Sequence, residues 1–189
     1  MKRESSTVKL GEKYHDFLLP DAITKDLYTF KDIQGELGTV VMFISNHCPY
    51  VKLVASELVR IANDYRILGF GFVAVSSNDA TQYPEDSFYN MWQFARKHNF
   101  TFPYLYDETQ AIARAYQAVC TPDFYIYNAS AELVYHGQLD DARPQNGIAV
   151  NGRNVRKVLD ALFNSRSIPK PQKPSVGCSI KWKKEKSHS

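Results

Sequence analysis

A chain of 189 residues with no apolar run long enough to span a membrane, and with a polar start, MKRESSTVKL, in place of a signal peptide, reads as one cytoplasmic domain able to bury a sizeable core. Three cysteines, Cys48, Cys120 and Cys178, are too few and too far apart to staple a fold, which excludes a disulfide framework and favours a reducing compartment. The formal charge of +3 is uneven: from Arg166 onward seven Lys/Arg face only Glu185, leaving 16 basic and 19 acidic residues before it. The basicity therefore belongs to a tail with a single aromatic, Trp182, a poor surface for nucleic acid or an anionic membrane. A solvated extension packing through Val176, Ile180 and Trp182 is expected instead.

Residues 1–13 form a polar lead-in. Two short β-type pieces, 14–20 and 27–30, flank the turn-like Pro20-Asp21 and predict an N-terminal hairpin. The stretch TVVMFISNHCPYV, residues 39–51, then organises the chain: the apolar run Val40 to Ile44 stops at Ser45-Asn46-His47 and delivers Cys48 and Pro49 to a segment of helical spacing. That spacing continues through Val51, Val54, Leu58, Ile61, Tyr65 and Leu68 until Gly69 closes the helix. Residues 69–77 are rich in β-formers, so a strand, a helix and a second buried strand predict a right-handed parallel unit.

Beyond a polar loop, Asp86 or Ser87 caps a helix carrying Phe88, Met91, Trp92 and Ala95. A third short strand at 102–106 and a short helix at 109–116 follow. After Cys120-Thr121-Pro122-Asp123, residues 124–127 and 133–138 pair as a hairpin across the turn-rich 128–132. The polar loop 137–152 holds Asp140, Asp141 and Arg143, a group more often tied into local ion pairs than used on a substrate. Asn151 is the expected cap of a last helix with Val155, Val158, Leu159, Leu162 and Phe163 on its apolar face. The reading divides the chain into a domain over 1–165 and a basic, proline-containing tail over 166–189.

Cys48 is the centre of the chemistry. A proline at the first helical position loses no hydrogen bond, so Cys48 falls at the N-cap beside unpaired backbone N–H groups and the positive helix end. A thiol there titrates at about 3.5–7.5 rather than about 8.5, which makes it a nucleophile at neutral pH; the bland alternative is a small buried hydrophobe. His47 is placed to stabilise a thiolate or pass a proton, and Ser45 to donate a hydrogen bond, against the plainer roles of loop histidine and strand terminator. Lys52 acts only weakly, through solvent. In Pro174-Ser175-Val176-Gly177-Cys178 the glycine permits an unusual turn, and Cys178 is either a resolving thiol or an anchor for the tail. A His-Cys pair also suits copper or zinc.

The order β, β, α, β, α, β, α, β, β, α, with a cysteine at the first strand-to-helix junction, resembles the thioredoxin superfamily. The peroxiredoxin-like (AhpC/TSA, redoxin) branch matches best over residues 11–162: GEKYHDFLLPD, the Cys-Pro helix start, the insertion after the second strand, FPYLYDE, the helix at 111–116 and TPDFYIY. The resemblance implies an α/β thioredoxin-like fold, a central mixed β-sheet flanked by helices, with an N-terminal β-hairpin and an inserted αβ segment. It implies that Pro122 is cis and faces the active-site thiol, with Thr121 and Asp123 beside it and Cys120 near Cys48. An ionised Asp123 there would raise the pKa of Cys48, or it would cap the loop backbone.

Two departures shape the function. Val51 stands where a Cys-x-x-Cys motif has its second cysteine, which excludes exchange within one motif. In Pro-x-x-x-Thr/Ser-x-x-Cys, Ser45 fills the hydroxyl position but Val41 replaces the proline. The loop before Pro122 lacks the family's arginine, with Arg143 or Arg114 as substitutes. Copper-delivery relatives resemble Cys-x-x-x-Cys, and position 52 is lysine, so neither a metal nor a cofactor is expected. The reading is a thiol-dependent oxidoreductase with Cys48 as redox nucleophile and peroxide-reductase-like, antioxidant activity. Its alternatives are thiol–disulfide exchange pairing Cys48 with Cys120 or Cys178, and a non-catalytic binding or redox-sensor module. The expected partners are a peroxide or disulfide substrate and an external thiol reductant of thioredoxin or glutathione type, without membrane or nucleic acid, and an oligomer is compatible with the sequence.

Overall fold

Alternation along the apolar run after Gly38 sends successive side chains to opposite sides of a strand that is buried on both. Val40, Met42 and Ile44 enter one hydrophobic cluster, and Val41 and Phe43 enter a second. The computed structural model describes residues 1–184, so the last residues of the basic tail, Glu185 and Lys186 among them, lie outside the described residues. In chain order the elements are β1 (Lys2–Glu4), β2 (Leu19–Pro20), β3 (Leu27–Tyr28), α1 (Phe30–Ile33), β4 (Gly38–Phe43), α2 (Pro49–Arg66), β5 (Phe70–Ser76), α3 (Phe88–Lys97), β6 (Tyr104–Tyr106), α4 (Ala111–Ala115), β7 (Cys120–Thr121), β8 (Asp123–Asn128), β9 (Leu133–Gly137), α5 (Arg153–Phe163) and β10 (Val176–Ser179).

The main sheet has the order β6-β5-β4-β8-β9. β4, β5 and β6 run parallel, whereas β8 and β9 are antiparallel, so the expected central mixed sheet is present. Residues from α2, α3 and α5 close over the Val40 face, and Phe30, Ala113 and Tyr116 over the Val41 face. The hairpin of β2 and β3 is only two residue pairs long, Leu19 with Tyr28 and Pro20 with Leu27. It is tied to β6 by Asp21, whose carboxylate accepts the Tyr104 amide at 2.8 Å.

Three local expectations are corrected. Residue 30 opens a helical turn rather than ending a strand, because Thr29 and Asp32 cap each other reciprocally. The N-cap of α5 is Gly152 rather than Asn151; Asn151 accepts the Arg153 amide at 3.1 Å from one position further out. Within the polar lead-in and the tail, β1 and β10 form strands that neither segment announces. They build a second antiparallel sheet, β1-β10-β7, with Lys2 opposite Cys178 and Cys178 opposite Thr121. Ile180 is buried just beyond β10, and Trp182 packs at the same cluster with the Arg114 guanidinium 4.6 Å over its ring.

Candidate active site

Cys48 is the N-cap of α2, with Pro49 at the first helical position, and it is fully buried. As a thiol it donates to the Thr121 carbonyl at 3.3 Å. The Thr121–Pro122 peptide bond is cis. Ser45 does not reach the sulfur directly in this arrangement; its hydroxyl pairs with that of Thr121 at 3.2 Å. Thr121 is also the register partner of Cys178, so the residue that meets Cys48 from β7 meets Cys178 from β10. Gly177 makes that approach feasible, because a Cβ at this position would overlap the Thr121 carbonyl. Cys178 is half-buried and packs against the cluster that contains Cys48, and all three cysteines are free.

The two thiols polarise one another. The Cys48 pKa is lowered to about 6, first by a hydrogen bond from the Cys178 thiol, against the opposing effect of burial. The Thr121 hydroxyl and the backbone amides of Val51 and Cys178 add to the same direction, as donors suited to a thiolate. Cys178 moves the other way, far above an ordinary thiol, because it supplies that hydrogen bond, is desolvated and faces the Cys48 charge. The two thiols shift in opposite directions, so Cys48 is the one that ionises first. Cys120 is fully buried, and its pKa is raised by burial and by the charges of Asp123 and Cys48. It precedes Thr121 on β7, lies opposite Ser179 of β10, and makes no hydrogen bond to Cys48.

His47 is turned toward the segment between β5 and α3. Its Nδ1 lies 2.5 Å from Asp86 Oδ2, and its ring stacks on Tyr83 at 5.5 Å. The hydrogen bond with Asp86 raises the His47 pKa above its usual value, against burial and the Lys181 charge. Asp86 is itself fully buried and accepts the Asn46 amide at 2.7 Å, the His47 amide at 3.3 Å and Asn78 Nδ2 at 2.7 Å. Of the two caps the sequence offers, Ser87 is the one used, and Asp86 holds the Asn46-His47 loop. No pattern in the sequence separates those two uses of a carboxylate in a turn.

Asp123 does not face Cys48. Its carboxylate takes Tyr125 Oη at 3.2 Å and His136 Nε2 at 2.9 Å, because β8 and β9 bring Tyr125 opposite His136. It also accepts the Phe124 amide at 3.2 Å, the backbone-capping alternative. Arg143 folds onto the carbonyls of Asp140 and Ala142, both at 2.7 Å, and Arg114 onto Trp182. Among the described residues no arginine hydrogen-bonds Cys48. Asp140 accepts the Asn151 and Gly152 amides at 2.8 and 2.7 Å, and Asp141 pairs with Arg153 and Lys173, so this acidic pair orders its loop. A cleft of about 800 Å³ opens at the other end of the parallel strands, beside Gly69, away from these groups. No group of three or more His, Cys, Asp or Glu able to hold a metal ion occurs among the described residues, and none of the described helices is long and apolar enough to cross a membrane.

Comparison with known proteins bears on this arrangement. The model of the AhpC/TSA family matches residues 10–136, the span that holds Cys48, Cys120 and Pro122. The chain belongs to the AhpC/TSA family. The AhpC/TSA match ends within β9, so Cys178 lies beyond it. An uncharacterized conserved protein from Geobacillus kaustophilus is 53% identical, with TM-score 0.95 and 97% of each chain covered. A hypothetical protein from Sinorhizobium meliloti is 42% identical, with TM-score 0.93, covering 95% of this chain and 98% of that one. The peroxidoxin BcpB from Mycobacterium tuberculosis, at 17% identity and TM-score 0.62 over 85% of this chain and 100% of its own, shares the thioredoxin-like fold. A search of curated proteins finds no match.

Proposed function

We propose that this AhpC/TSA protein is a thiol-dependent oxidoreductase of peroxide-reductase type, in which Cys48 is the redox nucleophile and Cys178 the resolving thiol. The meeting of two free thiols across Thr121, at the start of a long helix, carries this reading. The Cys48 thiolate attacks a hydroperoxide and becomes a sulfenic acid. The Cys178 thiol then attacks that sulfur, forming the disulfide and releasing water, and an external thiol reductant of thioredoxin or glutathione type restores both thiols. Ser45 and Thr121 stabilise the thiolate as a paired hydroxyl relay, Pro122 shapes the strand start that presents Thr121, and Cys120 stays out of the cycle as a protonated buried thiol. Such chemistry belongs in a reducing cytoplasm, where it would serve as an antioxidant activity.

The same pair supports a second reading, thiol–disulfide exchange, because Cys178 supplies the partner thiol that Val51 denies. Full burial of Cys48 requires a local opening before either substrate reaches the sulfur, and short elements such as the four-residue β10 open locally at small cost. Mass mapping after one equivalent of hydroperoxide tests the reading: a Cys48–Cys178 disulfide is expected, with turnover lost in Cys48→Ser. Absence of wild-type turnover with a panel of hydroperoxides, disulfides and reductants would overturn it.

A further inference from the structure

The loop that delivers Cys48 also delivers a histidine whose setting is more elaborate than loop anchoring requires. His47 is fixed by two contacts, the Asp86 carboxylate at 2.5 Å and the stacked Tyr83 ring. A carboxylate only accepts, so Nδ1 carries the hydrogen and Nε2 is the nitrogen that gains or loses a proton. No described residue hydrogen-bonds Nε2, and the side chain is 23% exposed, whereas its Asp86 partner is fully buried. Asp86 cannot swing away, since the Asn46 and His47 amides and Asn78 hold it as well. Asn78 in turn accepts the Lys181 amide at 2.8 Å, which ties the pair to the segment just after β10.

We propose that His47, oriented by Asp86, is the general acid that protonates the group displaced by Cys48. The inference rests on the reading of Cys48 as a redox nucleophile and adds to it the source of the proton. With a hydroperoxide, the thiolate forms a bond to the terminal oxygen, the O–O bond breaks, sulfur loses two electrons, and the departing alkoxide takes the proton from Nε2 to leave as an alcohol. With a disulfide, a sulfur–sulfur bond forms as another breaks, and the departing thiolate takes the same proton. The groups that face His47 set its charge: Asp86 and the Cys48 thiolate favour imidazolium, Lys181 and burial oppose it, and Asp86 prevails. The arrangement of a nucleophile, an imidazole and a buried carboxylate that fixes the imidazole follows the general logic of acid–base assistance.

A purely structural histidine and a proton donor differ in their response to the leaving group. In single-turnover oxidation of Cys48, His47→Gln is expected to slow an alkyl hydroperoxide by about 10²-fold. It should slow a peracid, whose carboxylate leaves without a proton, far less. Iodoacetamide, which needs no acid, should react at an unchanged rate above the thiol's inflection. Equal losses with all three reagents, or no loss with the hydroperoxide, would overturn the assignment. Asp86→Asn keeps an acceptor for Nδ1 but removes the charge, so the alkaline fall-off of the hydroperoxide rate should move to lower pH; if that variant fails to fold, the His47→Gln series still decides. Wild-type protein that reacts with iodoacetamide but with no oxidant overturns the redox reading and this inference together. Wild-type oxidation with leaving-group-independent loss overturns this inference alone.

Discussion

Replacing Cys178 by alanine removes the donor that contributes most to holding the Cys48 pKa at about 6. A hydrogen bond to a charged group is worth about 1.5–3 kcal/mol, and one pKa unit corresponds to about 1.4 kcal/mol, so the loss amounts to ~1–2 units. Cys178 is only half-buried and water can replace part of its bond, which puts the expected shift at the lower end, to an inflection of about 7. The sign is upward, toward an ordinary thiol. Cys178→Ser, whose hydroxyl still donates, should shift the inflection less than alanine does. The assay is the pH dependence of Cys48 alkylation by iodoacetamide, followed by mass spectrometry so that each cysteine is read separately. An inflection unchanged in Cys178→Ala would refute the reasoning and assign the depressed pKa to the helix amides and Thr121 instead.

Two further outcomes follow from the same geometry. Gly177→Ala forces a methyl into the Thr121 carbonyl, so β10 must shift; a loss of about 1–3 kcal/mol in denaturant unfolding is expected, together with faster Cys48 alkylation, and wild-type values for both would contradict the close approach. Because Cys48 titrates lower in the folded chain than the ordinary value of 9.0, its ionisation stabilises the fold fully above pH 9 and this contribution is lost as pH falls through about 6. Unfolding free energy should therefore rise with pH across that window in wild type and rise less in Cys48→Ser, and parallel slopes would contradict the shift.

The first half of the site was legible in the sequence because two periodicities collide there. A run that alternates nothing and then a run stepping by three and four must be a buried strand feeding a helix, and the residue between them is Cys48. Pro122 came from family resemblance, and its strand start does carry the Thr121 carbonyl that meets the sulfur. What escaped is whatever is held by backbone pairing rather than by apolar pattern. Lys2–Glu4 is fully exposed and Val176–Ser179 is too short and mixed to signal a strand, yet their ladder sets Cys178 opposite Thr121. For Asp123 the sequence left a place beside the thiol and a backbone cap both open; the cap on the Phe124 amide is present, and only the β8–β9 register reveals that His136 and Tyr125 claim the carboxylate as well. The use of Asp86 escaped for a similar reason, since its partners Asn46 and His47 come from a loop distant in sequence.

The β1-β10-β7 sheet also gives the chain a temporal order. Cys48, Thr121 and Pro122 emerge from a ribosome well before Val176–Ser179, and β10 lies between β7 and the very first strand. Until β10 docks, Cys48 keeps only the donors that Thr121 and the Val51 amide supply, without the Cys178 thiol that adds most to lowering its pKa. The depressed pKa of Cys48 is therefore completed late in synthesis, when β10 pairs with β7.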